Sequence, residues 1–142
     1  MRSLISLLAF LVLAGCATGS VAYQDALPVP PENLLAAYHG FSQPKDGAVR
    51  VVVIRDKGTN FGGVAPIRLS INGVAVAKFW PAERLELFLI PDNYVFDLRS
   101  DPKLGDAVVE KEIHIRSGEA YAFRIFSDAS GEFSLLQSAS VQ

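Results

Sequence analysis

The rhythm of hydrophobic and polar positions changes near residue 48, and from there short β-rich runs alternate with turn-forming residues. Residues 48–55 (AVRVVVIR) are almost continuously apolar, the pattern of a strand buried on both faces. Ile67, Leu69 and Ile71 alternate with Arg68 and Ser70, and Asn72-Gly73 separates them from the apolar run 74–80. A type I′ turn needs positive φ at both central residues, so Asn-Gly between two such runs predicts a hairpin. Over 83–90, Leu85, Leu87 and Leu89 share one face, and Pro91-Asp92-Asn93 turns the chain into 94–99. There Tyr94, Phe96 and Leu98 lie on one face, Asp97 and Arg99 on the other. Runs at 107–116, 120–127 and 132–137 follow, with Ser117-Gly118 as a turn between the first two. Short strands at regular spacing with no long helix among them predict an all-β fold, an antiparallel β-sandwich of seven to eight strands over 48–138.

Residues 16–47 lack strand alternation and carry Gly19-Ser20, Pro28, Pro30-Pro31, Pro44 and Gly47, the composition of a tether. Within it 31–39 predicts a short helix, with Pro31 near its start, Gly40 just past its end, and Leu34, Leu35 and Tyr38 on one side. Such a helix packs on its own domain or binds a partner. If Leu85, Leu87 and Leu89 face the core, Phe88 and Ile90 point outward, as does Phe126 opposite Tyr121, Phe123 and Ile125. That second apolar face is expected to be covered by the 31–41 segment or by a partner.

Residues 3–14 (SLISLLAFLVLA) hold ten apolar positions out of twelve, behind Met1-Arg2. About 20 apolar residues are needed to cross a bilayer, so this run is a secretory leader and not a membrane span. Its end, Leu13-Ala14-Gly15-Cys16, resembles the bacterial lipoprotein signal, the lipobox. The resemblance implies cleavage between Gly15 and Cys16, a diacylglycerol on the Cys16 thiol and acylation of its new amino group. One acyl chain anchors only marginally, whereas two or three hold firmly. Residue 17 is Ala, not the Asp of the inner-membrane retention signal, which implies an outer-membrane location facing the periplasm. The alternative is an ordinary secretory signal cleaved near Ala14-Gly15 or Ala17, with a free thiol left over.

Composition sharpens this division. The 142-residue chain is 50% apolar, with a mean hydropathy of +0.28. Removing residues 1–15 leaves 60 apolar residues among 127, ordinary for a globular domain, with 12 Lys+Arg against 15 Asp+Glu. A net charge of −3 offers no electrostatic case for nucleic acid. The single Cys cannot form an intramolecular disulfide, and with two His it provides little for a soft metal site, so no cofactor is expected.

The hairpin Ile71-Asn72-Gly73-Val74-Ala75-Val76-Ala77-Lys78-Phe79, then Leu85-Glu86-Leu87-Phe88-Leu89-Ile90-Pro91 and Tyr94-Val95-Phe96-Asp97-Leu98, carries an "ING" turn and a "P-turn-Y-x-h-x-h" strand. With Gly118-Glu119-Ala120-Tyr121-Ala122-Phe123-Arg124, this resembles PEGA-like domains of small bacterial lipoproteins over about residues 48–137. The resemblance implies a sandwich of prealbumin or carboxypeptidase-regulatory type and an accessory or binding role, with no catalytic residues to carry over. Pro91 is followed by Asp92-Asn93 where the pattern has Pro-Gly; Asp and Asn tolerate left-handed backbone better than most residues, so a turn can survive there.

Candidate chemistry is sparse. His114 lies between Ile113 and Ile115 and points away from the core, His39 sits in the tether, and no G-x-S-x-G occurs. Glu110, Glu112 and His114 share a face that reads as solvated. Asp92 and the loop Asp101-Pro-Lys-Leu-Gly-Asp106 lack the acidic density of a calcium loop. Gly58 to Gly63 lacks the following helix and Lys-Ser/Thr pair of a phosphate cradle. Phe61, Trp80, Phe88 and Phe126 are the candidate partner contacts. The function these features favour is a lipid-anchored envelope protein with a non-enzymatic binding or structural role, its partner an envelope protein or a wall component. A small periplasmic hydrolase or carbohydrate-active enzyme is the alternative.

Overall fold

A computed structural model describes residues 19–58, 65–100, 108–128 and 132–138. Nine strands run in chain order: β1 (Leu27–Pro28), β2 (Val49–Arg55), β3 (Ile67–Ile71), β4 (Val74–Phe79), β5 (Glu83–Leu89), β6 (Asn93–Ser100), β7 (Val108–His114), β8 (Tyr121–Ser127) and β9 (Phe133–Ser138). They form two sheets, one ordered β1-β5-β2-β8-β9 and the other β4-β3-β6-β7. The all-β sandwich is therefore present, and the inward residues of both sheets make one core. Val51, Val53, Leu69, Phe79, Leu87, Phe96, Leu98, Phe123 and Ile125 are all buried there. Phe96 and Phe123 meet from opposite sheets, ring centroids 5.7 Å apart and tilted by 53°. Each such side chain contributes about 1.5–3 kcal/mol by leaving water.

The orientation of the strands departs in part from the expected antiparallel arrangement. β2 runs parallel to β8, and β1 runs parallel to β5. Neither pair is joined by a hairpin, and the side-chain period of a strand is the same in either direction, so no alternation pattern distinguishes them. The apolar run of β2 has a direct cause: Val51 and Val53 face the core while Val52 and Ile54 pack beneath the N-terminal segment on the other side.

The β3–β4 hairpin forms as expected. Asn72 and Gly73 take φ of 50° and 78°, and Ile71 pairs with Val74. Asn72 adds a second role, since its Oδ1 accepts the Val95 N–H at 2.8 Å and docks the turn on β6. The turn at 91–93 uses no left-handed residue. Instead the Asp92 carboxylate accepts the Asn93 N–H at 2.8 Å, and the Asp92 carbonyl accepts that of Ile115 at 2.9 Å. A side chain that mimics a backbone turn removes the need for glycine there.

Arg55, the last residue of β2, points into the end of the core and is 1% exposed. Its Nη1 donates to the carbonyls of Phe79 (2.6 Å) and Ala65 (2.7 Å), tying the end of one sheet to the other. Burial pushes the guanidinium down to about 10, with the Glu83 carboxylate acting in the opposite direction.

Candidate functional site at the N-terminal strap

The segment expected to be a tether is, over its described part, bound to the sandwich. Residues 19–29 cross the outer face of the five-stranded sheet as a strap, where Val21 (5% exposed) and Ala26 (1%) bury against Val52 and Ile54. Three sets of contacts fix it. At its start, Lys57 N–H donates to the Gly19 carbonyl at 2.8 Å. A Cβ on Gly19 would lie 3.1 Å from both Gly58 O and Lys57 Cβ, so only glycine approaches this closely without displacing a neighbour. Next, the buried Asp56 accepts the Val21 N–H (3.0 Å) and Arg124 Nη1 (2.5 Å), while Arg124 also donates to the Val21 carbonyl (3.0 Å). A buried carboxylate is tolerable only with such a charged partner and further hydrogen bonds.

The third set centres on Tyr23. Its hydroxyl donates to Glu86 and accepts from Arg50 Nη2 at 3.1 Å, and Arg50 reaches Glu86 through both Nε (3.1 Å) and Nη2 (2.9 Å). The Arg84 guanidinium lies 4.5 Å from the Tyr23 ring centroid and donates to the carbonyls of Tyr23 and Ala26. The bonds from Arg50 hold the Glu86 carboxyl below its usual range, and the same bonds raise Arg50. The strap ends as β1, with Leu27 N–H donating to Ala82 O and Val29 N–H to Arg84 O, both at 2.9 Å.

The short helix expected over 31–39 is replaced by two 3-10 turns, Pro31–Asn33 and Ala36–Gly40. The physical reason is competition from β4. Leu34 makes an antiparallel bridge with Ala77, and Leu35 N–H donates to the Val76 carbonyl at 2.9 Å, so these backbone groups are not available to a helix. Further on, Phe41 O accepts the Phe88 N–H at 2.8 Å. The segment thus bridges β4 of one sheet and β5 of the other, with Leu34, Ala37, Tyr38 and Phe41 packed on the core between them. The expectation that 31–41 covers the second apolar face holds only at Phe88, which Leu34, Tyr38 and Phe41 adjoin; the centre of that face lies under residues 21–26, and 34–41 closes the gap between the sheets.

The candidate contact residues do not converge. Cys16, Gly15 and Phe61 lie outside the described residues, as does most of the Gly58 to Gly63 and Asp101 to Asp106 loops. Phe88 is half-buried and lines a groove of about 290 Å³ with Leu34, Tyr38, Ser42, Arg84 and Glu86. The polar groups Arg84 and Glu86 of that groove are already bonded to Tyr23, Ala26 and Arg50. Burial, aided by Glu86, pushes the Tyr38 hydroxyl up. Phe126 is half-buried on the same sheet face but sits beyond Ile125, the partner of Arg55, whereas Phe88 pairs with Arg50. At about 3.3 Å per residue that is roughly 20 Å of strand between them. Trp80 follows β4 at the end of the sandwich and is 43% exposed. Its backbone N–H donates to the Glu83 carboxylate at 2.7 Å; burial raises the pKa of that carboxyl and the bond from Trp80 opposes it.

His114, Glu110 and Glu112 are exposed on β7, and the His114 Nδ1 meets Asn93 Oδ1. Among the described residues, no group of three or more His, Cys, Asp or Glu side chains could hold a metal, and no helix is long and apolar enough to cross a membrane. The residues that organise the strapped face, Tyr23, Arg50, Asp56, Glu86 and Arg124, were not singled out from the sequence. The available signal was a charge embedded in an apolar strand, as in AVRVVVIRD and YAFRIF, which needs a partner on whichever face it occupies. Comparison with protein-family models gives no match, and comparison with curated proteins gives none either.

Proposed function

We propose that this chain is a lipid-anchored cell-envelope protein. Residues 1–15 are removed as a signal peptide, Cys16 carries the lipid, and the sandwich faces the periplasm from the outer membrane. The observation that carries this is the position of Leu13-Ala14-Gly15-Cys16 at the end of an apolar leader, three residues ahead of Gly19, the first described residue and one that is bonded to the sandwich. A lipid on Cys16 therefore joins directly to a fixed strap.

The sandwich serves as a non-enzymatic binding or structural module, in keeping with its resemblance to PEGA-like domains. Supporting this, Arg84 and Glu86, the charged side chains lining the Phe88 groove, are already bonded to the strap and to Arg50. The partner class is an envelope protein or a wall component. The test is fractionation of cells expressing the full chain and its Cys16→Ser variant. The native chain is expected in the membrane fraction and labelled by palmitate, and the variant unlabelled. A variant that remains in the membrane pellet in unchanged, palmitate-labelled form overturns the proposal.

A further inference from the structure

Resting on that anchoring, we infer that the sandwich lies directly on the bilayer, with one particular end turned to the lipid headgroups and the other turned away. Three residue steps separate Cys16 from Gly19, and a chain spans at most about 3.6 Å per residue, so the lipidated sulfur's residue is within roughly 11 Å of Gly19 in any conformation. Gly19 and Val21 are in turn held on the end of β2 by Lys57, Asp56 and Arg124. No spacer remains to lift the domain from the membrane.

The end that carries Gly19 is well defined. Arg55 and Ala82 are bonded there, Phe79 and Ala65 are bonded to Arg55, and Leu27 is bonded to Ala82. Ile67 of β3 pairs with Phe79 and Ser100 in the last row of the second sheet. Three of the large exposed apolar side chains lie at this end, on separate edge strands: Leu27 (69% exposed), Trp80 (43%) and Val108 (47%). One row further in, on the outer face of the second sheet, Arg68 pairs in register with Lys78 on one side and Arg99 on the other, and all three are exposed. Arg99 is partly neutralised by Asp97, which with Glu110 opposite it stands on the same outer face two residues further from this end, while Glu83, Asp128 and Glu132 belong to the other sheet. The cationic side therefore tilts toward the membrane, bringing Arg68 and Lys78 to anionic headgroups with Trp80 at their level. Tryptophan, with an apolar ring and one N–H donor, suits that depth, and cations near the surface are attracted by anionic lipid. The opposite end, with the Asn72-Gly73 turn, Val74 and Ile90, then faces away from the bilayer and is the end presented to a partner.

Trp80 is the single tryptophan of the chain, so its fluorescence reports this contact alone. The acylated protein is placed in phosphatidylethanolamine/phosphatidylglycerol vesicles and compared with the Cys16→Ser protein in buffer. The expected result is a blue shift of the Trp80 emission, quenching by nitroxide-labelled lipid and loss of quenching by aqueous acrylamide. A Trp80→Phe/Val74→Trp protein, with its tryptophan at the far end, is expected to stay open to acrylamide. The Arg68→Glu/Lys78→Glu protein is expected to lose part of the nitroxide quenching, and unchanged quenching there overturns the headgroup contact of those cations. An acylated, vesicle-bound protein whose Trp80 is as open to acrylamide as in buffer overturns the orientation and leaves the anchor standing. Absence of acyl groups on Cys16 overturns the anchor and the orientation with it.

Discussion

Asp56 shows how much a single side chain can do in this molecule. Its carboxylate, 5% exposed, is the meeting point of the Val21 N–H and the Arg124 guanidinium, and it sits where the strap first touches the sheet. Removing one member of a buried ion pair strands the other's charge, and such losses run to about 3–5 kcal/mol for full burial. Arg124 keeps 23% of its side chain exposed, which lets water compensate in part. Asp56→Ala is therefore expected to lower stability by about 2–3 kcal/mol, read as a lower urea midpoint with unchanged slope. A midpoint equal to that of the native protein would mean that the strap is not held through this pair. Arg55 is the complementary case: a cation inside the core whose Nη1 donates to the carbonyls of Phe79 and Ala65. Neither role was visible from composition, because a charge in an apolar run specifies that a partner exists without saying which.

At the scale of elements, the strap is joined to β2 and β5 through Tyr23, Arg50 and Glu86. The Glu86 carboxyl is held below its ordinary 4.5 chiefly by the hydrogen bonds from Arg50. A carboxylate with a depressed folded pKa contributes stability above its unfolded value, and that contribution is lost as the pH falls through the folded value. The two side chains are 41% and 34% exposed, so solvent screening limits the effect to no more than about 1 kcal/mol. Glu86→Gln is thus expected to destabilise the protein modestly at neutral pH, with the difference from the native chain shrinking below about pH 4. Thermal unfolding at several pH values checks this, and a difference that grows toward acid pH contradicts it.

The eight longer strands were legible because their information is in side-chain alternation and in turn residues such as Asn72-Gly73. The strap and the 34–41 bridge were not. Part of their attachment runs through main-chain groups of Gly19, Leu27, Leu35 and Phe41, and main-chain bonding leaves no periodic trace in the residue types. The parallel pairing of β2 with β8 was invisible for the same reason: register between distant strands is chosen by packing in the whole domain. The prolines that suggested a tether have a different use here. Pro28 ends the edge strand β1 and Pro31 opens a 3-10 turn, positions that need no N–H donor.

Over the whole molecule, the lone cysteine and Gly19, the first described residue of the strap, are close neighbours in sequence, and the proposed anchor would thereby give the sandwich a direction. Its lower end carries Gly19, Trp80 and Leu27, and its upper end carries the turns at 72–73, 91–93 and 117–118. Strands of six to eight residues make that body about 20–25 Å tall. The candidate contacts from sequence that are described, Trp80, Phe88 and Phe126, fall on different parts of this body and form no shared aromatic patch. The proposed orientation of that body depends on the chemical state of Cys16. The most direct measurement is mass spectrometry of the N-terminal peptide and intact protein extracted from the membrane fraction of expressing cells. A mature chain that begins at Cys16 and carries acyl chains on it is the predicted result; a chain that begins after Ala14 or Ala17, or one with a free Cys16 thiol, contradicts it.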